Sequence, residues 1–475
     1  MSKHTALLSL VLLTAASGHP QNTLRVPADF ATIQAAFDAA QTDDTIEIAA
    51  GTFAEHVIIP ANADAIFVRG AGQGLTIWTG DLDGDGDPDG GQITSSTSST
   101  DGPRLTVSGI SFINGGGGPE RAVRISPAGG AAFEDCEFIG NRSDNNGAAI
   151  SYFSRASLRL ERCRFIGNVS AANSAVSVRS QGLNINASYF AGNRGGVGSG
   201  AVRFDTWDAF LDVPIRISNT TFVGNTGPDT GAVYVTEISE FTGCTFAGNT
   251  PLVDLPGTST AVFSVTGFDL VGRLSSGPVN GRNNIVLLNE TVPGFVTGVD
   301  PAWATNIGAS PVPGGTTFLD PLFTRNPSDG GDGWGDDPAT PDIDESLNDD
   351  FGDLRLRPGS PAIDAGTNGF FMPGDLDLDG NPRLADDPGI PGNNVDIGAY
   401  EFQGTTCLAD VNQDGDLNPN DFNAWILAFN SLSPLADQNR NGDLTPNDFN
   451  AWILNFNAGS DKASTREPAD KRNMK

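Results

Sequence analysis

The chain has 475 residues, of which 59 are glycine and 30 are proline, and its formal net charge is −31. This length allows two or three domains, and the glycine and proline content favours short strands joined by many turns. The negative charge argues against nucleic acid or anionic membranes as partners and makes Ca²⁺ the natural cation. His56 is the only histidine after residue 19, which excludes histidine-cluster metal sites and argues against a Ser-His-Asp triad.

Residues 1–18 have the pattern of a secretory signal peptide. Lys3 and His4 precede an apolar run over residues 6–16, and Ser17 and Gly18 supply small residues near a cleavage point. The apolar run is too short to span a bilayer. We therefore predict a secreted protein, extracellular or at the cell surface, without a membrane span.

Residues 22–80 predict the N-terminal cap of a solenoid. Ile33, Phe37 and Ala40 recur at helical spacing, which predicts one amphipathic helix over about residues 31–41, followed by short strands. A solenoid end exposes unpaired apolar core, and this helix could cover it. The segment resembles the N-terminal cap and first coils of pectin esterases and pectate lyases, which implies the fold and leaves the chemistry open.

An acidic loop occupies residues 81–103. Carboxylates stand at alternate positions from Asp81 to Asp89, as they do in an EF-type calcium loop. The alternative is a solvated acidic loop inserted between two coils. The sequence leaves both readings open.

Residues 104–325 contain a repeat that is typical of a solenoid. Its phenylalanines are 26, 27, 25, 32 and 24 residues apart, and a Gly/Asn corner follows each of them. These phenylalanines are Phe112, Phe138, Phe165, Phe190, Phe222 and Phe246. An alternating apolar pair precedes each phenylalanine, and a third strand begins seven or eight residues after the corner. Three short strands per period predict an all-β fold, a right-handed parallel β-helix with a fixed rise between coils.

Stacking of the coils places equivalent residues in columns. The phenylalanines should form an interior column and the corner asparagines a hydrogen-bonded ladder. Cys136 and Cys163 fall at equivalent positions of adjacent coils, and Cys244 lies three coils further on. We expect these three cysteines to be small buried hydrophobic residues, although a bridge between the first two remains open.

Two rows of side chains are predicted to face outward from the repeat. On the third strand they are Arg124, Ser151, Ser177, Arg203 and Tyr234, and on the phenylalanine strand they are Ser111, Glu137, Arg164, Tyr189, Thr221 and Thr245. Residues 105–249 resemble the repeats of chlamydial polymorphic outer-membrane proteins, which supports the fold more than an activity. Glycan-binding and glycan-cleaving β-helices use such rows. The simpler reading of Glu137 and Arg164 is an exposed ion pair between coils.

The repeat decays after Leu252, although apolar segments at 261–265 and 284–288 predict two or three further coils. The stretches that begin at Leu354 and Val395 resemble the choice-of-anchor Q domain, which implies that residues 326–403 close a bacterial surface β-helix. Asp375, Asp377, Asp379 and Asp386 match calcium-loop positions, but Pro382 and Arg383 occupy the eighth and ninth positions and argue against a site.

The strongest chemical signal is a duplicated loop near the C-terminus. Oxygen donors stand at calcium-loop positions 1, 3, 5, 9 and 12, position 7 gives its carbonyl, and glycine at position 6 allows the sharp turn. The twelve predicted metal-site residues are Asp410, Asn412, Asp414, Asp416, Asn418, Asp421, Asp437, Asn439, Asn441, Asp443, Thr445 and Asp448. One apolar-striped helix follows each loop. We therefore predict a small α-helical, EF-hand-like module that holds two calcium ions.

Residues 407–458 resemble a type I dockerin, which implies a cohesin-like protein partner. The positions that usually read the cohesin hold Pro419-Asn420 and Pro446-Asn447 instead of small hydroxyl residues, which puts the partner in doubt. Residues 459–475 form a charged tail that we expect to be disordered.

Two functions remain open from the sequence. The favoured one is a rigid β-helix that binds extracellular polysaccharide and attaches through the C-terminal module. The alternative is a polysaccharide lyase or glycoside hydrolase. Lysine is missing between Lys3 and Lys462, so a lyase would need an arginine as its base. A hydrolase needs two carboxylates, roughly 5–9 Å apart. The sequence does not single out catalytic residues.

Overall fold

The protein is a parallel β-solenoid of about eight coils, with helices at the N-terminal cap and in the C-terminal module. The computed structural model describes residues 21–463 with gaps, the longest at 97–103, 207–214, 252–262, 265–278, 288–305, 309–315, 336–344, 385–393, 404–408 and 439–443. The predicted signal peptide and residues 464–475 lie outside the described residues. Parallel strands stack in four sheets, one strand per coil.

Two sheets meet at a tight corner in each coil. Sheet 1 contains Thr23–Val26, Thr45–Ile48, Ile66–Arg69, Leu105–Ser108, Ala131–Glu134, Leu158–Glu161, Leu183–Asn186, Ile215–Ser218, Ser239–Thr242 and Val279–Arg282. Sheet 2 contains Gly51–Ala54, Thr76–Thr79, Ser111–Ile113, Glu137–Ile139, Arg164–Ile166, Tyr189–Ala191, Thr221–Val223, Thr245–Ala247, Ile285–Leu287, Asn306–Gly308 and Thr316–Thr317. The strands after Leu252 continue the stack, as predicted.

The third predicted strand forms sheet 3, and a short fourth strand was not predicted. Sheet 3 contains Val57–Ile58, Ile93–Ser96, Val123–Ser126, Ile150–Phe153, Val176–Ser180, Val202–Thr206, Val233–Val235 and Phe263–Ser264. Sheet 4 contains Arg142–Ser143, Val169–Ser170, Arg194–Gly195, Thr226–Gly227 and Thr250–Pro251. Sheet 4 lies directly after the Gly/Asn corner, where two residues per coil are enough to pair.

The phenylalanines of sheet 2 form one interior column, as predicted. Consecutive rings from Phe112 to Phe246 have centroids 4.6–5.0 Å apart, and each ring is fully buried. Trp78 extends the column by one coil, with its ring centroid 5.6 Å from that of Phe112. This spacing follows the rise between paired strands, so the register of the sheet fixes the stacking.

The corner asparagines form the predicted ladder. In each coil the side-chain amide donates a hydrogen bond of 2.8–2.9 Å to the side-chain carbonyl of the next asparagine, from Asn141 through Asn168, Asn193 and Asn225 to Asn249. The glycine before each asparagine has a positive φ, for example +64° at Gly140, which a glycine adopts without strain. Because every asparagine is fully buried, the ladder satisfies amides that would otherwise be costly to bury.

The three cysteines of the repeat are free thiols in the core, as predicted. Cys136, Cys163 and Cys244 are fully buried, and burial raises the pKa of Cys244 to about 12. They therefore act as small apolar residues at the corner between sheets 1 and 2. Cys407 lies outside the described residues.

The N-terminal cap contains helix α1, Ile33–Ala39. The Thr32 side chain accepts a hydrogen bond from the Ala35 N–H, and the Glu55 carboxylate accepts from the Ile33 N–H at 2.9 Å. These two acceptors satisfy free donors of the first turn and fix the helix over the first coils. Ile33 and Phe37 are fully buried, so the helix covers apolar core as predicted.

The described residues between 320 and 403, here called the closing segment, do not add coils. They contain the antiparallel pair Phe323–Arg325 and Asp353–Leu356 and the 3-10 turns Glu345–Asn348 and Asn368–Phe370. They pack against the outer face of sheet 2, where Ala399 donates a backbone hydrogen bond of 3.0 Å to Thr245 Oγ1. The segment thus covers the side of the solenoid.

Candidate functional site

The outward row of sheet 3 has the predicted register. Strand pairing aligns Thr94, Arg124, Ser151, Ser177, Arg203 and Tyr234 in successive coils. Arg124 is exposed, and the next four members are partly exposed. Apolar neighbours such as Val123 and Ile125 face the core, because successive side chains of a strand point to opposite faces.

A second outward row on sheet 3 was missed from the sequence. Two residues further along their strands, Phe153, Arg179 and Asp205 are also paired in register. The Arg179 guanidinium lies 5.7 Å from the centroid of the Phe153 ring. The strand alternation that predicted the first row also predicts this one, since a strand of four or five residues has two outward positions.

Arg203 is held in place by two neighbours. Its Nε donates to Asp205 Oδ2 at 2.8 Å, and its guanidinium lies 4.5 Å from the centroid of the Tyr234 ring in the next coil. The ion pair fixes the side chain, and the aromatic face supports it by a cation–π contact. One edge of the guanidinium is thereby used, while its position on the sheet stays accessible.

The two rows of sheet 3 carry a local positive charge. Arg124, Arg179 and Arg203 against Asp205 give three positive charges and one negative, a net of +2 in a chain of −31. Among the residues that the structure describes, Arg124 has no carboxylate partner. Arg121 lies near it, and burial, followed by the charge of Arg124, lowers the pKa of Arg121.

Sheet 1 provides the contrast. Its outward arginines pair with glutamates of neighbouring coils: Arg159 with Glu134 at 2.9 Å and Arg216 with Glu240 at 3.0 Å. Such pairs neutralise one another on the surface and contribute little to stability. Sheet 1 therefore presents a balanced face, whereas sheet 3 presents an excess of arginine.

The predicted outward row on sheet 2 requires correction. Ser111, Thr221 and Thr245 are fully buried, and Glu137 is 9% exposed. The closing segment covers the later coils, and the Gly74 N–H donates to Ser111 Oγ in an early one. The remaining members are the exposed Arg164 and the partly exposed Tyr189. The predicted ion pair between Glu137 and Arg164 is present at 3.2 Å, but its carboxylate is nearly buried.

The acidic loop at 81–89 brings three carboxylates together. Oxygens of Asp81, Asp83 and Asp89 lie within 4.8 Å of one another, an arrangement that could hold a cation. Backbone N–H groups of Gly84 and Gly86 also donate to Asp81. Both sequence readings, calcium loop and solvated acidic loop, are compatible with this geometry.

The loop at 375–386 is organised around other partners. Asp377 accepts backbone hydrogen bonds from Asp379, Asn381 and Glu401, and Asp379 pairs with Arg355 at 2.6 Å. These contacts use the oxygens that a cation would need. Asp386 lies outside the described residues.

Half of the predicted calcium ligands of the C-terminal module are described. Asp410, Asn412, Asn418, Asp421, Thr445 and Asp448 lie in described positions, whereas Asp414, Asp416, Asp437, Asn439, Asn441 and Asp443 lie outside the described residues. The Asp421 carboxylate accepts hydrogen bonds from the Asn412 and Asn418 N–H groups, and Asp448 accepts equivalent bonds in the second loop. Both carboxylates at position 12 are fully buried and turned back over their loops.

The two helices that follow these loops pack on each other. They are α2, Pro419–Asn430, and α3, Asn447–Ala463, so α3 extends into the predicted tail. The rings of Phe422 and Phe449 have centroids 5.6 Å apart, and Trp425 lies 5.3 Å from Phe449. The apolar stripes that the sequence predicted therefore form one shared core.

Comparisons with known proteins agree with the fold and go no further. No family model matches the chain, and no curated protein matches it. Among solved structures, pectate lyase Pel9A is 14% identical with a TM-score of 0.36, over 81% of this chain and 97% of that chain. A mutant of the PL6 family alginate lyase AlyGC is 16% identical with a TM-score of 0.19, over 65% of this chain and 54% of that chain. The expected dockerin and choice-of-anchor Q resemblances remain predictions.

A membrane-spanning helix was not expected from the sequence. Within the described residues, none of the helices has the length and apolar character that crossing a bilayer requires.

Proposed function

We propose that this chain is a secreted or cell-surface β-solenoid that binds acidic extracellular polysaccharide along the outward face of sheet 3. The observation that supports the proposal is the excess of arginine in two aligned rows, in a chain that is otherwise strongly acidic. A guanidinium is a planar donor suited to carboxylate and sulfate groups. The aromatic rings of Phe153 and Tyr234 offer apolar faces for sugar rings.

The parallel stacking suits an extended polymer. Arg124 and Arg203 occupy the same row three coils apart, about 14 Å at the usual spacing between strands. Ser151 and Ser177 lie between them with small hydroxyl side chains that leave the row open. A chain that follows the row would meet charged contacts at intervals, with hydroxyl groups between them.

The test is affinity electrophoresis of the purified protein in gels that contain polygalacturonate, alginate or a neutral glucan. We expect retardation by the acidic polymers, reduced several-fold in R124A and weakened by added salt because the contacts are ionic. The matched control is R216A, which removes a paired arginine from sheet 1. Equal retardation of the wild type, R124A and R216A would contradict the proposal.

The second candidate is a polysaccharide lyase, and one observation favours it. Arg121 has a lowered pKa next to Arg124, and a β-eliminating lyase needs a base with a neutral form. The assay is the absorbance of unsaturated uronate after incubation with acidic polysaccharide, with and without calcium. Product from the wild type and none from R121Q would support the lyase, and retention without product would support the binder.

A glycoside hydrolase has less support on this face. Its mechanism requires a pair of carboxylates. In the described part of sheet 3 the only outward carboxylate is Asp205, which is paired with Arg203. Release of reducing ends from neutral polysaccharide would restore this alternative.

We also propose that the C-terminal module binds two calcium ions and attaches to a cohesin-like protein partner. The described ligands are compatible with calcium because their oxygen atoms line both loops and Asp421 and Asp448 are buried carboxylates. Calcium would neutralise carboxylates that otherwise repel one another. The half-exposed Ile426 and Ile453 and the exposed Leu427 and Leu454, which occur as equivalent pairs on α2 and α3, would supply apolar contact area for the partner.

A further inference from the structure

Arg383 is buried where the closing segment meets the solenoid. Its side chain is 0% exposed, and Nη2 donates to the Asp396 carbonyl oxygen at 3.1 Å. The guanidinium lies 4.7 Å from the centroid of the Phe371 ring. A Cβ atom at Gly243 would lie 3.0 Å from Nη2, so the corner of the solenoid touches this side chain directly.

Four carboxyl groups surround this single guanidinium. Asp364, Asp377, Asp396 and Glu401 are each less than 9% exposed. Asp396 accepts from the Asp364 N–H at 2.8 Å, Glu401 accepts from the Asp396 N–H at 3.0 Å, and Asp377 accepts from the Glu401 N–H at 3.0 Å. All four belong to the closing segment, and backbone bonds connect them into one network.

The ion pair in this network is loose. Arg383 Nη1 lies 3.5 Å from Glu401 Oε2, longer than the roughly 2.7–2.9 Å of a charge-assisted hydrogen bond. Nε and Nη1 make no hydrogen bond among the described residues. Full ionisation would leave four negative charges against one positive, and burying charges without partners is costly. The network is therefore under electrostatic stress that a bound proton relieves.

We propose that this buried cluster makes the closing segment a pH-responsive cover for the side of the solenoid. While the cluster retains a proton, the cover is held against the later coils of sheet 2. When the proton leaves, repulsion among the carboxylates loosens the cover. The face beneath it contains Ala191, Val223, Ala247 and Ile285, an apolar strip that becomes accessible.

Asp396 is the group that titrates in the relevant range. Burial, the largest cause, raises the pKa of Asp396 to about 7, although the N–H groups of Phe402 and Asp364 and the charge of Arg383 oppose this rise. Asp364 adds to the rise. From the solenoid, the Cys244 thiol faces Arg383, and it stays neutral because burial raises its pKa to about 12.

The direction of the effect follows from the raised pKa. A carboxyl whose folded pKa exceeds its unfolded value stabilises the folded form fully below the unfolded pKa, and this contribution is lost as pH rises through the folded pKa. Docking of the cover should therefore be tightest in mild acid and should weaken through about pH 7. Burial also raises the pKa of Asp377, which acts in the same direction.

Trp334 provides a probe of the cover. It is 6% exposed, and its ring lies so close to Gly224 and Gly248 that a Cβ at either position would come within 2.6–2.8 Å of it. Undocking would expose the indole to water. The fluorescence of Trp334 in the full chain is obtained as the difference between the wild type and W334F.

The experiment compares this difference emission at pH 5.5 and pH 8.5, with circular dichroism of the solenoid recorded at both. We expect a red shift at pH 8.5 with a midpoint near 7 and an unchanged strand signal. D396N, which cannot ionise, should abolish the shift and keep the blue emission. The control D144N removes an exposed carboxyl from the solenoid and should leave the shift intact.

Three results would overturn the proposal. One is equal Trp334 emission of the wild type at the two pH values, which needs no variant. Another is an unchanged midpoint in D396N. The last is loss of the strand signal in parallel with the shift, because the whole solenoid would then respond and the cover would have no separate behaviour.

Discussion

The indole Nε1 of Trp425 donates a hydrogen bond of 3.2 Å to the carbonyl oxygen of Ala436. Trp452 repeats this contact with Ala409 at 3.0 Å. Each tryptophan belongs to the helix after one loop and reaches the entrance of the other loop. The two halves of the C-terminal module are thus connected crosswise, and a change in one loop should reach the other through the shared aromatic core.

This crosswise arrangement predicts that removal of calcium unfolds both halves together. In EGTA we expect a single transition in which the emission of Trp425 and Trp452 shifts to the red, because the freed carboxylates repel and the buried indoles become wet. The measurement is tryptophan fluorescence of the full chain, with W425F and W452F to assign the signal. D421A should weaken both calcium sites. Emission that is insensitive to EGTA would argue against the metal.

Phe165 tests the interior column. F165A removes the ring between two stacked neighbours, and we expect a loss of about 3–5 kcal/mol, typical of a large cavity in a core. Chemical unfolding followed by circular dichroism measures it. F165L, which keeps most of the volume, should lose less. Equal losses in both variants would mean that packing volume is not what the column contributes.

Gly224 and Gly167 form a matched pair for testing the docking of the closing segment. Their φ values are +61° and +60°, so alanine at either position incurs the same backbone cost, roughly 1–2 kcal/mol. A Cβ at Gly224 would lie 2.6 Å from Trp334, whereas at Gly167 it meets nothing within 4 Å. We expect G224A to lose more stability than G167A and to expose Trp334. Identical unfolding curves and emission spectra for the two variants would show that Trp334 is not packed there.

Asp205 tests the alignment of Arg203. In D205N the carboxylate partner is lost while the arginine charge remains, so the net charge of the sheet 3 face rises by one. If charge alone drives binding, D205N should bind acidic polysaccharide more tightly. If the orientation of Arg203 matters, we expect several-fold weaker binding, with less effect on the salt dependence than in R203A. Affinity electrophoresis at two salt concentrations separates these outcomes.

The solenoid was predictable because its signal repeats. Each coil has its own phenylalanine, corner glycine and asparagine, so errors at one position are corrected by the others. Trp78 was missed because the acidic loop separates it from the first phenylalanine of the repeat and it does not share that residue type. The register of Arg124 through Tyr234 followed from the same periodicity.

The covering of sheet 2 was not predictable from local patterns. The contact between Ala399 and Thr245 joins residues 154 positions apart, and no periodic signal in the sequence connects them. Ser111 and Thr221 were expected to face outward because alternation identifies the side of a strand, not what lies beyond it. Similarly, Arg383 was noted as unsuited to a calcium loop, but its burial among carboxyls required the fold.

The asparagine ladder allows the chain to change length in whole coils. The interval from Phe190 to Phe222 is 32 residues, yet Asn193 and Asn225 are joined at the same 2.9 Å as the pair formed by Asn168 and Asn193. The additional residues leave the strand and return to it without disturbing the column. Duplication or deletion of one complete winding should therefore preserve the architecture, whereas an insertion between a phenylalanine and its asparagine should not. Selection can thus lengthen or shorten this rod by recombination, one unit at a time.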